Sequence, residues 1–203
     1  MKKLISLCLA ALLLIGMMPM TTMAEETGNH SLQEIEQAIR DGSKAEIRDA
    51  NGNVLDTLDL DVHVQRIPTS RRSGDLGCPE YIVTCSAKSK LVDCPGSGSK
   101  DGISATILMV CRDEFGPDNT LISVTGTWSG KDSETKDRVV TYYSYNAINI
   151  ENSKVPNTNA PRQFEYYPKD YKGFTFKATS SATITSTGHN IFLEVATDSS
   201  VLS

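Results

Sequence analysis

Apolar residues recur along this chain at two different periods. From Leu58 onward the period is two. Leu58, Leu60, Val62 and Val64 alternate with Asp59, Asp61, His63 and Gln65, the pattern of a strand buried on one side. Tyr81 to Cys85, Ile103 to Arg112, Leu121 to Trp128, Val139 to Tyr145, Phe174 to Ser186 and Ile191 to Ala196 read as further strands from their β-branched and aromatic content. Within the fourth of these runs, Ile122, Val124 and Trp128 are expected on one face, directed at the core. Phe164-Glu-Tyr-Tyr167 predicts a short strand inside an otherwise loop-like stretch with Pro156, Pro161 and Pro168.

One segment follows the helical period instead. Leu32, Ile35, Ala38 and Ile39 fall on one face, Ser31 and Glu34 have the spacing of a capping box, and Asp41-Gly42 supplies a stop. About ten residues make a marginal helix in isolation, so its apolar stripe must dock. The expected place is an open end or edge of the sheet.

Between helix and strands, Asn51-Gly52 predicts a type I′ hairpin turn. Asp49, Asn51 and Asn53 invite a calcium-loop reading, which fails because Val54 stands where that loop needs Gly and Leu60 where it needs a bidentate Glu. Pro68 to Gly77 is a polar loop whose Arg71-Arg72 pair reads as solvated surface. Short strands at close intervals predict an all-β chain: an antiparallel β-sandwich of seven to nine strands with one short N-terminal helix, a partly open β-barrel being the competing architecture. Residues 25–44 form the lead-in and helix, and residues 45–203 a single β-sandwich domain.

The first residues change the picture of where this domain works. Lys2 and Lys3, an apolar run from Leu4 to Met18 and small residues ending at Ala24 have the organisation of a secretory signal peptide, with a run of about 15 residues too short to span a bilayer. Cleavage after Ala24 is expected, giving a secreted, extracellular product or, in a two-membrane envelope, a periplasmic one. No later run predicts a transmembrane segment. Loss of residues 1–24 removes two lysines and no acid, taking the formal charge from −5 to −7, which disfavours nucleic acid as a partner.

In an exported chain the cysteines take on a meaning. Cys8 leaves with the signal, and Cys78, Cys85, Cys94 and Cys111 remain, with no CxxC pair. Two disulfides are expected rather than a metal site or a redox centre. With Tyr81 to Cys85 beside Ile103 to Cys111, the least strained pairing joins Cys85 to Cys111 and Cys78 to Cys94, because bridged Cα atoms lie within about 7 Å.

Candidate chemistry is sparse. His30, His63 and His189 sit in no recognised motif, and no HExxH or GxSxG occurs. No catalytic residue, metal ligand or cofactor is therefore assigned. Six of the seven tyrosines lie between Tyr142 and Tyr171. Tyr142, Tyr143, Tyr145, Tyr166 and Tyr167, with Trp128 on a neighbouring strand and several asparagines nearby, are the candidate ligand-binding residues, since such rings stack on a ligand face and hydrogen-bond its edges. The competing expectation is that alternate tyrosines simply pack inward. Function is expected to be non-catalytic binding of a glycan or a cell-surface protein; a hydrolase with an unrecognised carboxylate pair and a secreted effector or toxin-like factor are the alternatives.

Overall fold

A computed structural model describes residues 30–67, 78–89, 102–114, 119–129, 132–145, 151–157, 160–169 and 171–202. Helix α1, Leu32–Gly42, begins on the expected capping box: Ser31 Oγ accepts from the Glu34 backbone N–H, and the Glu34 carboxylate accepts from the Ser31 N–H at 2.7 Å. Ile35 and Ile39 are buried, whereas Leu32 and Ala38 are exposed, so the docked stripe is narrower than predicted.

Two antiparallel sheets share one hydrophobic core, and no barrel closes. The first runs in the order β2 (Val54–Thr57), β1 (Lys44–Arg48), β12 (Asn190–Asp198), β11 (Thr175–Ile184), β7 (Thr135–Tyr145) and β8 (Glu151–Asn157). The second runs from β3 (Leu60–Ile67) through β4 (Glu80–Lys88) and β5 (Ser104–Arg112) to β6 (Asn119–Trp128). The far side of β6 carries two short strands, β10 (Lys172–Gly173) and β9 (Gln163–Tyr166). A final turn of helix, α2 (Ser199–Leu202), ends the described chain. Among the described residues twelve strands replace the seven to nine expected: β9 is the short strand expected at Phe164–Tyr167, β8 lies in the stretch read as loop-like, and four-residue β2 and two-residue β10 are too short for periodicity to announce.

Alternation sets the two faces as predicted. Tyr81, Val83, Cys85 and Ala87 of β4 are buried, as are Ala105, Ile107, Met109 and Cys111 of β5. On β6 the expectation fails locally. A register shift opposite Val110 and Cys111 leaves Ile122 without a cross-strand partner, so Leu121 and Val124 face the core and Ile122 is only half-buried. Gly126, further along β6, lies under the Phe164 ring; a Cβ there would stand 2.4 Å from Phe164 Cζ and 2.2 Å from the Thr106 carbonyl oxygen.

The Asn51-Gly52 hairpin forms, but not as a type I′ turn. Only Gly52 has positive φ, +86°, and the loop spans three residues between Asp49 and Asn53, whose ends join by an Asp49 N–H to Asn53 C=O bond of 2.9 Å. The Asp49 carboxylate accepts from the Asn51 and Asn53 backbone N–H groups and from Asn53 Nδ2, each at 2.8 Å. Those bonds hold its pKa below the ordinary value and occupy the oxygens that a calcium loop would offer.

The expected bridge between Cys85 and Cys111 is absent. Cys111 stands opposite Tyr81, and Cys85 opposite Ile107, four residues away along the ladder; both are buried free thiols. The strands do neighbour each other as the pairing required, but their register is set by the whole β4–β5 ladder rather than by the cysteines. No two described cysteines stand at disulfide distance. Cys94, and with it the expected Cys78–Cys94 pair, lies outside the described residues.

Helix α1 covers strand edges. β3 is the last strand of its sheet, and its outward Val64 N–H donates to Glu36 Oε1 at 2.9 Å. The same oxygen meets His63 Nδ1 at 3.1 Å. On the opposite sheet β1 reaches only as far as Glu194 of β12; beyond it, Ala196 N–H donates to Ser43 Oγ at 3.0 Å. Two side-chain oxygens at the helix thereby stand in for missing strand partners. Replacing Glu36 by Ala should lower unfolding stability by about 1–3 kcal/mol, the cost of an orphaned buried N–H, while Glu36→Gln, which keeps an acceptor, should stay near wild type. Ile39→Ala should cost about 2–5 kcal/mol. Denaturant unfolding curves check all three; equal stability of Glu36→Ala and wild type would remove the edge-capping role.

Candidate functional site

The period of two divides the tyrosines of β7. Tyr142 points into the molecule, buried with Ser144, whereas Tyr143 and Tyr145 lie on the outer face of the sheet, half-buried, with ring centroids 5.9 Å apart. Tyr143 stands across from Lys177 and Tyr145 from Thr175. Lys177 and Lys44 flank Glu194 at 3.9 and 3.7 Å, and the Arg48 guanidinium lies 3.8 Å from the Phe192 ring centre. The outer pair therefore belongs to a face of mixed charge and hydroxyl groups.

The inner aromatics form a row between the sheets. Trp128, fully buried on β6, meets Phe164 of β9 at 5.2 Å, and Phe164 lies beside Tyr166 at 5.9 Å. Tyr166 then meets Tyr142 of β7 at 6.0 Å, and Tyr142 meets Tyr171, in the link to β10, at 5.2 Å. Trp128, Phe164 and Tyr142 are buried, while Tyr166 and Tyr171, on either side of Tyr142, are half-buried. Tyr167 turns the other way, is 65% exposed, and donates its phenolic hydrogen to Glu165.

The six predicted residues thus do not form one surface. Trp128 cannot stack on a ligand, because it has no accessible face; Tyr143 and Tyr145 share the outer sheet; Tyr167 stands apart; and Tyr142 with Tyr166 joins the inner row. The row also contains Phe164 and Tyr171, which were not assigned to the site. Phe164 had a legible signal, since Phe164 and Tyr166 are two residues apart on a strand and must share a face. Tyr171 had none, because its place depends on the β10 link meeting β7.

Burial pushes the phenol pKa of Tyr142 above its ordinary value, and the neighbouring Tyr171 and Tyr166 add to it. Tyr166 and Tyr171 are raised by burial as well. All three stay neutral near pH 7, offering hydroxyl groups and ring faces but no charge. Burial likewise pushes the Cys85 and Cys111 thiols up to about 12, which keeps them protonated and poor nucleophiles.

Among the described residues no three His, Cys, Asp or Glu side chains converge on a point that could hold a metal ion. His63 Nδ1 lies 3.1 Å from Glu36 Oε1. Glu80 accepts from Arg112 Nε and Nη2 at 3.1 and 2.7 Å, an ion pair that joins β4 to β5. No helix among the described residues is long and apolar enough to cross a membrane. Comparison with protein-family models, curated proteins and solved structures returned no match.

The acid–base properties make a prediction. A group whose folded pKa is raised contributes stability that is whole below its unfolded pKa and is lost as pH rises through the folded one. For Cys85 and Cys111 the loss runs from about pH 8.5 toward 12, and for the three phenols from about pH 10 upward. Stability measured by denaturant should therefore fall through the alkaline range. At pH 8 a thiol reagent should modify Cys85 and Cys111 only after unfolding; rapid labelling of either in the folded protein would contradict their burial.

Proposed function

We propose that this chain is a secreted, non-catalytic binding module, taking a glycan or a cell-surface protein through the tyrosine-rich side of its β-sandwich. The observation that carries this reading is the aromatic row from Trp128 to Tyr171, in which Tyr166 and Tyr171 stay half-buried instead of being sealed. Aromatic rings with a polar tip at the margin of a core are the usual material of recognition surfaces. The outer Tyr143–Tyr145 pair adds ring surface on the adjoining sheet. Export rests on the pattern of residues 1–24, whose basic start, short apolar run and small-residue end are those of a cleaved leader.

The test is an array of glycans and envelope polymers, with isolated surface proteins beside it, probed with the chain from Glu25 onward. Wild type should bind at least one class of probe. The folded double variant Tyr143→Ala/Tyr166→Ala should lose that binding, with thermal unfolding confirming that the variant is intact. Absence of wild-type binding to every class, or cleavage of a bound polymer, would overturn the reading.

A further inference from the structure

We propose that α1 is a removable cover over the edge of β3, and that a second copy of this chain pairs with that edge, β3 against β3, when the helix is displaced. The edge strands among the described residues differ in how they resist such pairing. β2 and β9 have four residues each, β10 has two, and β8 carries Pro156 and a register shift against β7. β3 has none of these protections: its eight residues pair with β4 in unbroken register, from Leu60–Ala87 to Ile67–Glu80. A straight edge of that length invites another strand. It is the edge on which α1 lies, where the Glu36 carboxylate takes the Val64 N–H at 2.9 Å.

The cover is separable from the sandwich. α1 precedes every described strand and reaches β1 through Ser43 alone, so it can leave without undoing a strand pair. Two buried side chains, Ile35 and Ile39, anchor a helix too short to be stable by itself. Its departure frees the Val64 N–H and also His63, whose Nδ1 lies 3.1 Å from the same Glu36 oxygen. Strand alternation turns the backbone groups of Leu60, Val62 and Arg66 outward with those of Val64. An antiparallel pair centred on Val62 then sets Leu60 against the second copy's Val64, and Asp61 against the second copy's His63. Apolar positions stay inward, and each carboxylate meets an imidazole that can donate to it. Centring the pair on Asp61 or on His63 would oppose like side chains, so charge and hydrogen bonding select the twofold at Val62.

Sedimentation velocity on the chain from Glu25 onward tests this, with Ile35→Ser/Ile39→Ser displacing the helix and circular dichroism checking the fold. The milder Glu36→Ala/Ile39→Ala takes its place if that variant does not fold. Wild type should be monomeric and the displaced variant dimeric. Adding His63→Asp, at an exposed position, should weaken the dimer about two- to thirtyfold by opposing carboxylates, whereas His63→Lys should keep it. In wild type, amide exchange should release the Val64 and Ala196 N–H groups, both capped from α1 and its end, together and ahead of the β4–β5 ladder. A dimeric wild type, a displaced variant that is folded yet monomeric, a dimer indifferent to His63→Asp, or exchange of Val64 only with the ladder would overturn the proposal. The tyrosine side takes no part in this pairing, so the array result and this one stand or fall separately.

Discussion

Two sheets stacked face to face leave two open flanks, and closing them is the constraint on which the rest of this structure depends. At each flank the core meets water and the last strands present unpaired backbone groups. The chain closes one flank with a helix. Ile35 and Ile39 of α1 complete the core, Glu36 takes the Val64 N–H at the edge of β3, and Ser43 takes the Ala196 N–H where β1 gives out beside β12. The exposed edge strand β2 is blunted differently. It is four residues long and carries a register shift at Leu55, so it offers no straight row of groups to another strand.

The opposite flank is closed by side chains rather than by a helix. The row Trp128, Phe164, Tyr166, Tyr142 and Tyr171 spans from one sheet to the other, and Gly126 makes room for Phe164. Aromatic rings suit this place because their area fills the gap while a phenol tolerates the wet margin. Trp128, Phe164 and Tyr142 of the row are buried, and Tyr166 and Tyr171 are half-buried on either side of Tyr142.

The cysteines illustrate how a compartment argument and a geometric one can part. Thiol count and an exported context favour bridges, yet Cys85 and Cys111 occupy inward positions on adjacent strands and serve as small apolar core residues. Moving either into bridging distance would require a four-residue slip of β4 against β5, which would break the cross-strand pairs from Glu80–Arg112 to Lys88–Ser104.

By itself the sequence determined the all-β class, the inward and outward faces of most strands, and the helix with its cap, because strand alternation and capping are local properties. Phe164 and Tyr166 sharing a face, and Tyr142 opposing Tyr143, were legible on the same ground. What it could not determine are matters settled between strands: the register that separates Cys85 from Cys111, the unpaired Ile122 on β6, the three-residue loop at Gly52, and the short strands β2 and β10. The aromatic row is the clearest case. Its members lie on β6, β7, β9 and the β10 link, and only the stacking of one sheet on the other places Tyr142, Tyr166 and Tyr171 side by side.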